Sequence, residues 1–80
     1  MRIEVMIPQQ GLTSEEVLIL KIHKHTGENI CKGEELLQME SEKATIPLES
    51  PATGKIQEIR IKEDELVAIG TVAAVIETDG

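Results

Sequence analysis

Apolar residues in this chain recur mostly at every second position, and no stretch of about 11 residues keeps the spacing of a helical stripe. Ile3, Val5 and Ile7 alternate with Arg2, Glu4 and Met6, which predicts a first strand ending at Pro8. Gln9 to Glu16 is polar, contains Gly11 and reads as a loop. Val17 to Lys24 reads as a second strand with Leu18, Leu20 and Ile22 on one face. His25 to Glu35 is rich in turn residues, with Gly27 and Gly33 at the expected positive-φ positions and a short strand around Ile30. Leu36 to Ser41 and Ala44 to Glu49 are further strands, the latter with Ile46 and Leu48 facing one way. Ser50-Pro51-Ala52-Thr53-Gly54 predicts a turn. Ile56, Ile59 and Ile61 change phase once, so Lys55 to Lys62 should be a strand with a bulge. A last strand covers Val72 to Thr78. Eleven Ile, five Val and six Thr supply β-branched side chains, which favour strands. The fold class that follows is all-β, a sandwich or barrel.

The charge balance excludes several functions. Fifteen acidic against eight basic residues leave a formal charge of −7, which repels nucleic-acid phosphates and anionic lipid. With no Phe, Tyr or Trp, there is no platform on which bases could stack. The longest apolar run, Val72 to Ile76, is far short of a membrane span. Neither nucleic acid nor membrane is an expected partner. One cysteine, Cys31, cannot form an internal disulfide; a reducing compartment is the default, and the thiol is expected to be small and buried.

A weak internal repeat is present. Shifted by 37 residues, Ile19, Ile22, Glu28, Ile30, Gly33, Met39 and Glu40 fall on Ile56, Ile59, Glu65, Val67, Gly70, Ile76 and Glu77. Two similar halves of this kind suggest facing sheets related by an approximate two-fold axis.

Motifs for independent catalysis are missing. Gly54-Lys55 lacks the upstream glycine and the hydroxyl of a phosphate loop. Thr13 and Ser14 have no His or Asp pattern beside them, and His23, His25 and Cys31 lack zinc-ligand spacing. The informative segment is Glu40-Ser41-Glu42-Lys43-Ala44, where two predicted strands are separated by about two residues. A tight hairpin ordinarily takes Asn-Gly or Asp-Gly there, because primed turns need positive φ. A long acid and a long amine stand there instead, so turn chemistry did not select them. An amine at a hairpin tip stands clear of the body, within reach of a modifying enzyme.

Glu40-Ser41-Glu42-Lys43-Ala44 resembles the lipoyl-attachment motif of the biotinyl/lipoyl carrier family, Glu-Thr/Ser-Asp-Lys-Ala. Gly27-Glu28, Gly33, Ser50-Pro51 with Gly54, and Gly70 stand where that family places turn residues. The resemblance implies a flattened barrel of two four-stranded antiparallel sheets with quasi-two-fold symmetry. Lys43 would be at the tip of one sheet and both termini at the other. It implies a single carrier domain over residues 1–79, with residue 80 starting a linker. It further implies lipoate as a covalent cofactor on Lys43, with Glu40, Glu42 and Ala44 as flanking recognition residues. The chain would then be a non-catalytic module of a dihydrolipoamide acyltransferase in a 2-oxo acid dehydrogenase complex. The implied partners are lipoate ligase or octanoyltransferase with lipoyl synthase, a thiamin-diphosphate 2-oxo acid decarboxylase, the acyltransferase core and dihydrolipoamide dehydrogenase. The implied location is the bacterial cytoplasm or the mitochondrial matrix.

The alternatives within the resemblance are a biotin carrier, whose lysine is flanked by methionines, and the glycine-cleavage carrier, a longer chain. Acyl carrier proteins are helical and need an Asp-Ser-Leu that this chain lacks. The chain departs from the family pattern in three places. Glu42 replaces the usual Asp, Pro8 to Thr13 lacks the usual first-loop sequence, and Asp64 stands where a glycine is common and a left-handed backbone is expected.

Overall fold

In the computed structural model, residues 1–9, 15–42 and 44–78 are described. Eight strands are found among them: β1 (Arg2–Met6), β2 (Glu16–Ile22), β3 (Asn29–Ile30), β4 (Glu35–Glu40), β5 (Thr45–Glu49), β6 (Gly54–Ile59), β7 (Leu66–Ala68) and β8 (Val72–Glu77). They form two antiparallel four-stranded sheets, ordered β1-β8-β6-β3 and β5-β4-β2-β7. The predicted loop at residues 10–14 and the predicted linker start at residue 80 lie outside the described residues.

Alternation explains which side of β1 and β2 is buried, whereas Leu36–Leu37 on β4 and Ala73 to Ile76 on β8 are buried consecutively. Val5 and Ile7, Val17 and Ile19, Leu37 and Met39, and Ala74 and Ile76 point between the sheets and are almost fully buried. The core is thus aliphatic, and every buried side-chain polar atom among the described residues has a partner. Ser50, the buried polar residue, donates from Oγ to the Ala52 carbonyl at 2.6 Å. Leaving such a hydroxyl unpaired would carry a desolvation penalty of about 1–3 kcal/mol.

The repeat is built into the hydrogen-bond register. In the first half Leu18, Ile19, Lys21 and Ile22 pair with Glu40, Met39, Gln38 and Leu37. In the second, Lys55, Ile56, Glu58 and Ile59 pair with Glu77, Ile76, Val75 and Ala74. Each pair maps onto its counterpart by the shift of 37, and both ladders carry the bulge at the same place. The β4–β5 ladder corresponds to the β8–β1 ladder in the same way, with Glu40↔Thr45 answering Glu77↔Arg2. Turn chemistry repeats as well. The His25 N–H donates to Glu28 Oε1 at 2.8 Å, and the Lys62 N–H donates to Glu65 Oε1 at 3.1 Å. Gly27 (φ 95°) and Asp64 (φ 66°) are the equivalent left-handed positions of these two turns, which bears out the left-handed expectation for Asp64.

The structure corrects four expectations. β7 was not foreseen, because Leu66-Val67-Ala68 is too short to show alternation; only its counterpart β3, through the Ile30–Val67 match, points to it. On β2 the core side is Val17 and Ile19, while Leu18 and Leu20 are half-exposed. The bulge between Ile19 and Lys21 then turns Ile22 back toward the core. Cys31 is exposed, not buried. Gly54 does not need a turn conformation; it starts β6, where a Cβ would overlap the Glu77 carbonyl oxygen and stand 2.8 Å from Ile76 Cγ2.

Candidate functional site

β4 and β5 form the hairpin predicted around the motif. Met39 and Ile46 are paired, Met39 fully buried and Ile46 packed against the core, so both arms are anchored before the chain leaves the body. Glu40 and Thr45 form the last ladder pair. Beyond them the Ser41 N–H donates to the Ala44 carbonyl at 2.9 Å, closing the turn. Ser41 Oγ also lies 3.3 Å from the Ala44 carbonyl oxygen and 3.3 Å from the Ala44 nitrogen, as donor to one and acceptor from the other. Ser41 is the residue type this geometry selects.

Lys43 itself lies outside the described residues; its neighbours Glu42 and Ala44, and Glu40 at the end of β4, are exposed. The arrangement is therefore a closed turn with exposed flanks on a buried stem. Such a stem fixes the root of any group attached at the turn, and the exposed flanks leave the group's surroundings open.

Next to the turn, on the outer face of the β5-β4-β2-β7 sheet, lies a shallow depression of about 500 Å³. Glu15, Glu16, Leu18, Glu40, Ser41, Glu42 and Leu66 line it. Sequence reasoning found Glu40 and Glu42 but missed Glu15, Glu16, Leu18 and Leu66. They are brought there by β2 and the unforeseen β7, whose register sets Leu18 opposite Leu66.

The other expected residues serve the scaffold. Gly27 and Gly33 sit in the turns on either side of β3, and Gly54 starts β6. None lines the depression beside the hairpin. His23 pairs with Glu35 and His25 with Glu28, and no cluster of metal ligands exists among the described residues. Perturbed acids likewise lie away from the hairpin. The Cys31 N–H and then Lys24 hold Glu34 below its ordinary 4.5, and His25 lowers Glu28.

Residues 3–76 match the family model for biotin- and lipoyl-attachment domains, whose description reads "biotin-requiring enzyme". A succinyltransferase component of the 2-oxoglutarate dehydrogenase complex from Rickettsia conorii is 34% identical over 70 residues, 88% of this chain and 18% of that protein. An acetyltransferase component of the pyruvate dehydrogenase complex from Cupriavidus necator is 32% identical over 75 residues, 94% of this chain and 13% of that protein. The chain thus spans less than a fifth of the length of these curated relatives. Among solved structures, the lipoyl domain of the 2-oxoglutarate dehydrogenase complex from Azotobacter vinelandii superposes with a TM-score of 0.80 at 23% identity, covering 98% of this chain and 99% of that one. Urea carboxylase from Kluyveromyces lactis contains the same fold, with a TM-score of 0.77 at 20% identity over 96% of this chain and 6% of that one.

Proposed function

The chain belongs to the biotinyl/lipoyl attachment family, and we propose that it is a lipoyl carrier whose arm is attached at Lys43. The observation that carries this reading is the hairpin: a turn closed by Ser41 and Ala44 on a buried stem, with a lysine in the sequence between exposed Glu42 and Ala44. The flanking residues favour lipoate over biotin, since neither is methionine. The dihydrolipoyllysine relatives point the same way.

Lipoate fits what the hairpin offers, because a group joined by an amide to an exposed turn needs no cavity. When bound, it supplies a redox-active disulfide that accepts an acyl group and electrons. The chain's own part is presentation. The stem holds one end of the arm still, Glu40 and Glu42 identify the lysine, and amide formation removes one positive charge, taking −7 to −8. Tethering makes transfer between active sites intramolecular, at a high effective concentration without tight binding at any of them. The cofactor carries the chemistry and the protein supplies orientation and recognition.

The partners that follow are a lipoate-attaching enzyme, a thiamin-diphosphate 2-oxo acid decarboxylase, an acyltransferase core and dihydrolipoamide dehydrogenase. We place their meeting in a reducing compartment, the bacterial cytoplasm or mitochondrial matrix. Incubation with lipoate ligase, ATP and lipoate should add one lipoyl group by intact mass, and Lys43→Gln should abolish the addition. An adduct on another lysine, or exclusive biotinylation by a biotin ligase, would overturn the reading.

A further inference from the structure

The two-fold repeat gives this protein an internal control for its own surface. The depression beside the hairpin has a structural equivalent at the other end of the molecule, lined by Asn29, Cys31, Thr53, Lys55 and Glu77 among others. The same register builds both. Across one sheet Leu66 pairs with Leu18 and Leu18 with Glu40; across the other Asn29 pairs with Lys55 and Lys55 with Glu77. Each position maps by the shift of 37, so the backbone makes the same demands at both ends. Only the side chains differ. Where the far end places Asn29, Lys55 and Thr53, the hairpin end places Leu66, Leu18 and Glu16. Leu66 is 58% exposed, although the equivalent position shows that a polar residue fits there. Folding does not account for that choice.

We infer that the Leu66–Leu18–Glu40 row, with Glu15 and Glu16 beside it, is the docking strip for the enzyme that attaches the arm to Lys43. This rests on the lipoyl-carrier reading. An enzyme forming the amide must bring its reacting atom to the lysine nitrogen. Its surface therefore has to close over residues one or two strands from the turn. The charges are complementary too: an ATP-using acyl-transfer site concentrates positive charge for phosphates, and the strip offers carboxylates around two leucines. Apolar residues inside a charged rim are the usual layout of an interface centre.

The test exchanges residues between equivalent positions. Leu66→Asn should lower kcat/KM for ligation of lipoate about tenfold, mainly through KM, with an unchanged far-UV circular dichroism spectrum. Glu16→Thr should lower it about threefold and weaken its dependence on salt. Asn29→Leu, at the far end, should leave the rate unaltered. Full ligation kinetics in folded Leu66→Asn would overturn the docking strip while leaving the carrier reading intact. So would a defect confined to reductive acylation by the decarboxylase. If unaltered protein takes up no lipoyl group at all, both fall.

Discussion

The hairpin end and the end where β8 meets β1 are made from one backbone plan. The Ser41 N–H donates to the Ala44 carbonyl at 2.9 Å; at the equivalent place the Thr78 N–H donates to the Met1 carbonyl at 2.7 Å. Even the hydroxyls correspond, Ser41 Oγ and Thr78 Oγ1 each lying 3.3 Å from the carbonyl oxygen. One place is a continuous turn with a lysine in its sequence, and the other joins two separate chain segments. The lesson is that symmetry here belongs to the scaffold. Departures from it mark either function, as in the leucine row, or local packing, as at Gly54.

Several substitutions would break or sharpen this comparison, each read by urea unfolding followed by far-UV circular dichroism because no aromatic reporter is present. The largest effect should come from the paired core isoleucines. Ile19→Ala and Ile56→Ala remove equivalent side chains that are 0% and 1% exposed, and each should destabilise by about 2–5 kcal/mol. Losses differing by more than about 1.5 kcal/mol would show that the halves are not energetically equivalent, since volume-conserving differences stay below that range. Gly54→Ala should follow at about 1–3 kcal/mol, because the added methyl meets backbone. Its counterpart Val17 already carries a side chain, so Val17→Ala should show only the loss of buried methyls. Equal tolerance of Ala at both positions would contradict the packing described for Gly54.

Turn exchanges should have smaller consequences. Gly27→Asp puts into one turn the residue its twin accepts at φ 66°, and should destabilise by about 1–2 kcal/mol, the usual left-handed penalty. The smallest effect is expected from acid. A carboxyl held below 4.5 in the folded chain but ordinary when unfolded stabilises the fold above that pH, and the contribution disappears as pH falls through the folded value. Glu34 is such a group, whereas its counterpart is Thr71, which does not titrate. The urea midpoint should therefore decline below about pH 4.5, and Glu34→Gln should make that decline shallower; an unchanged slope would remove Glu34 from the account.

Much of this was legible in the sequence, for reasons specific to particular residues. Ile3, Val5 and Ile7 alternate cleanly because β1 buries one face only, and the phase change at Ile56–Ile59 marks the bulge seen between Ile56 and Glu58. The hairpin was legible because Glu42 and Lys43 are poor choices for a tight turn, so their presence called for another reason. What stayed hidden depended on neighbours distant in the chain. Leu18 and Leu20 read as a uniform apolar face, yet Val17 and Ile19 are the ones that meet the opposite sheet. Gly54 looked like a turn residue because it follows Ser50-Pro51, while its need for a missing Cβ is set by Glu77, at the end of β8. The strip beside the hairpin joins Glu15, Glu40 and Leu66, which only a folded sheet brings together.

The pairing of Met1 with Thr78 has one more consequence. These residues also approach through the Met1 amino group, 2.9 Å from the Thr78 carbonyl oxygen. Head-to-tail cyclisation through a short connector would therefore preserve both flanking strands and create a second apex. With a lysine motif grafted into that connector, the ring would be a two-headed shuttle, and its melting temperature should exceed that of the open chain because closure shrinks the unfolded ensemble.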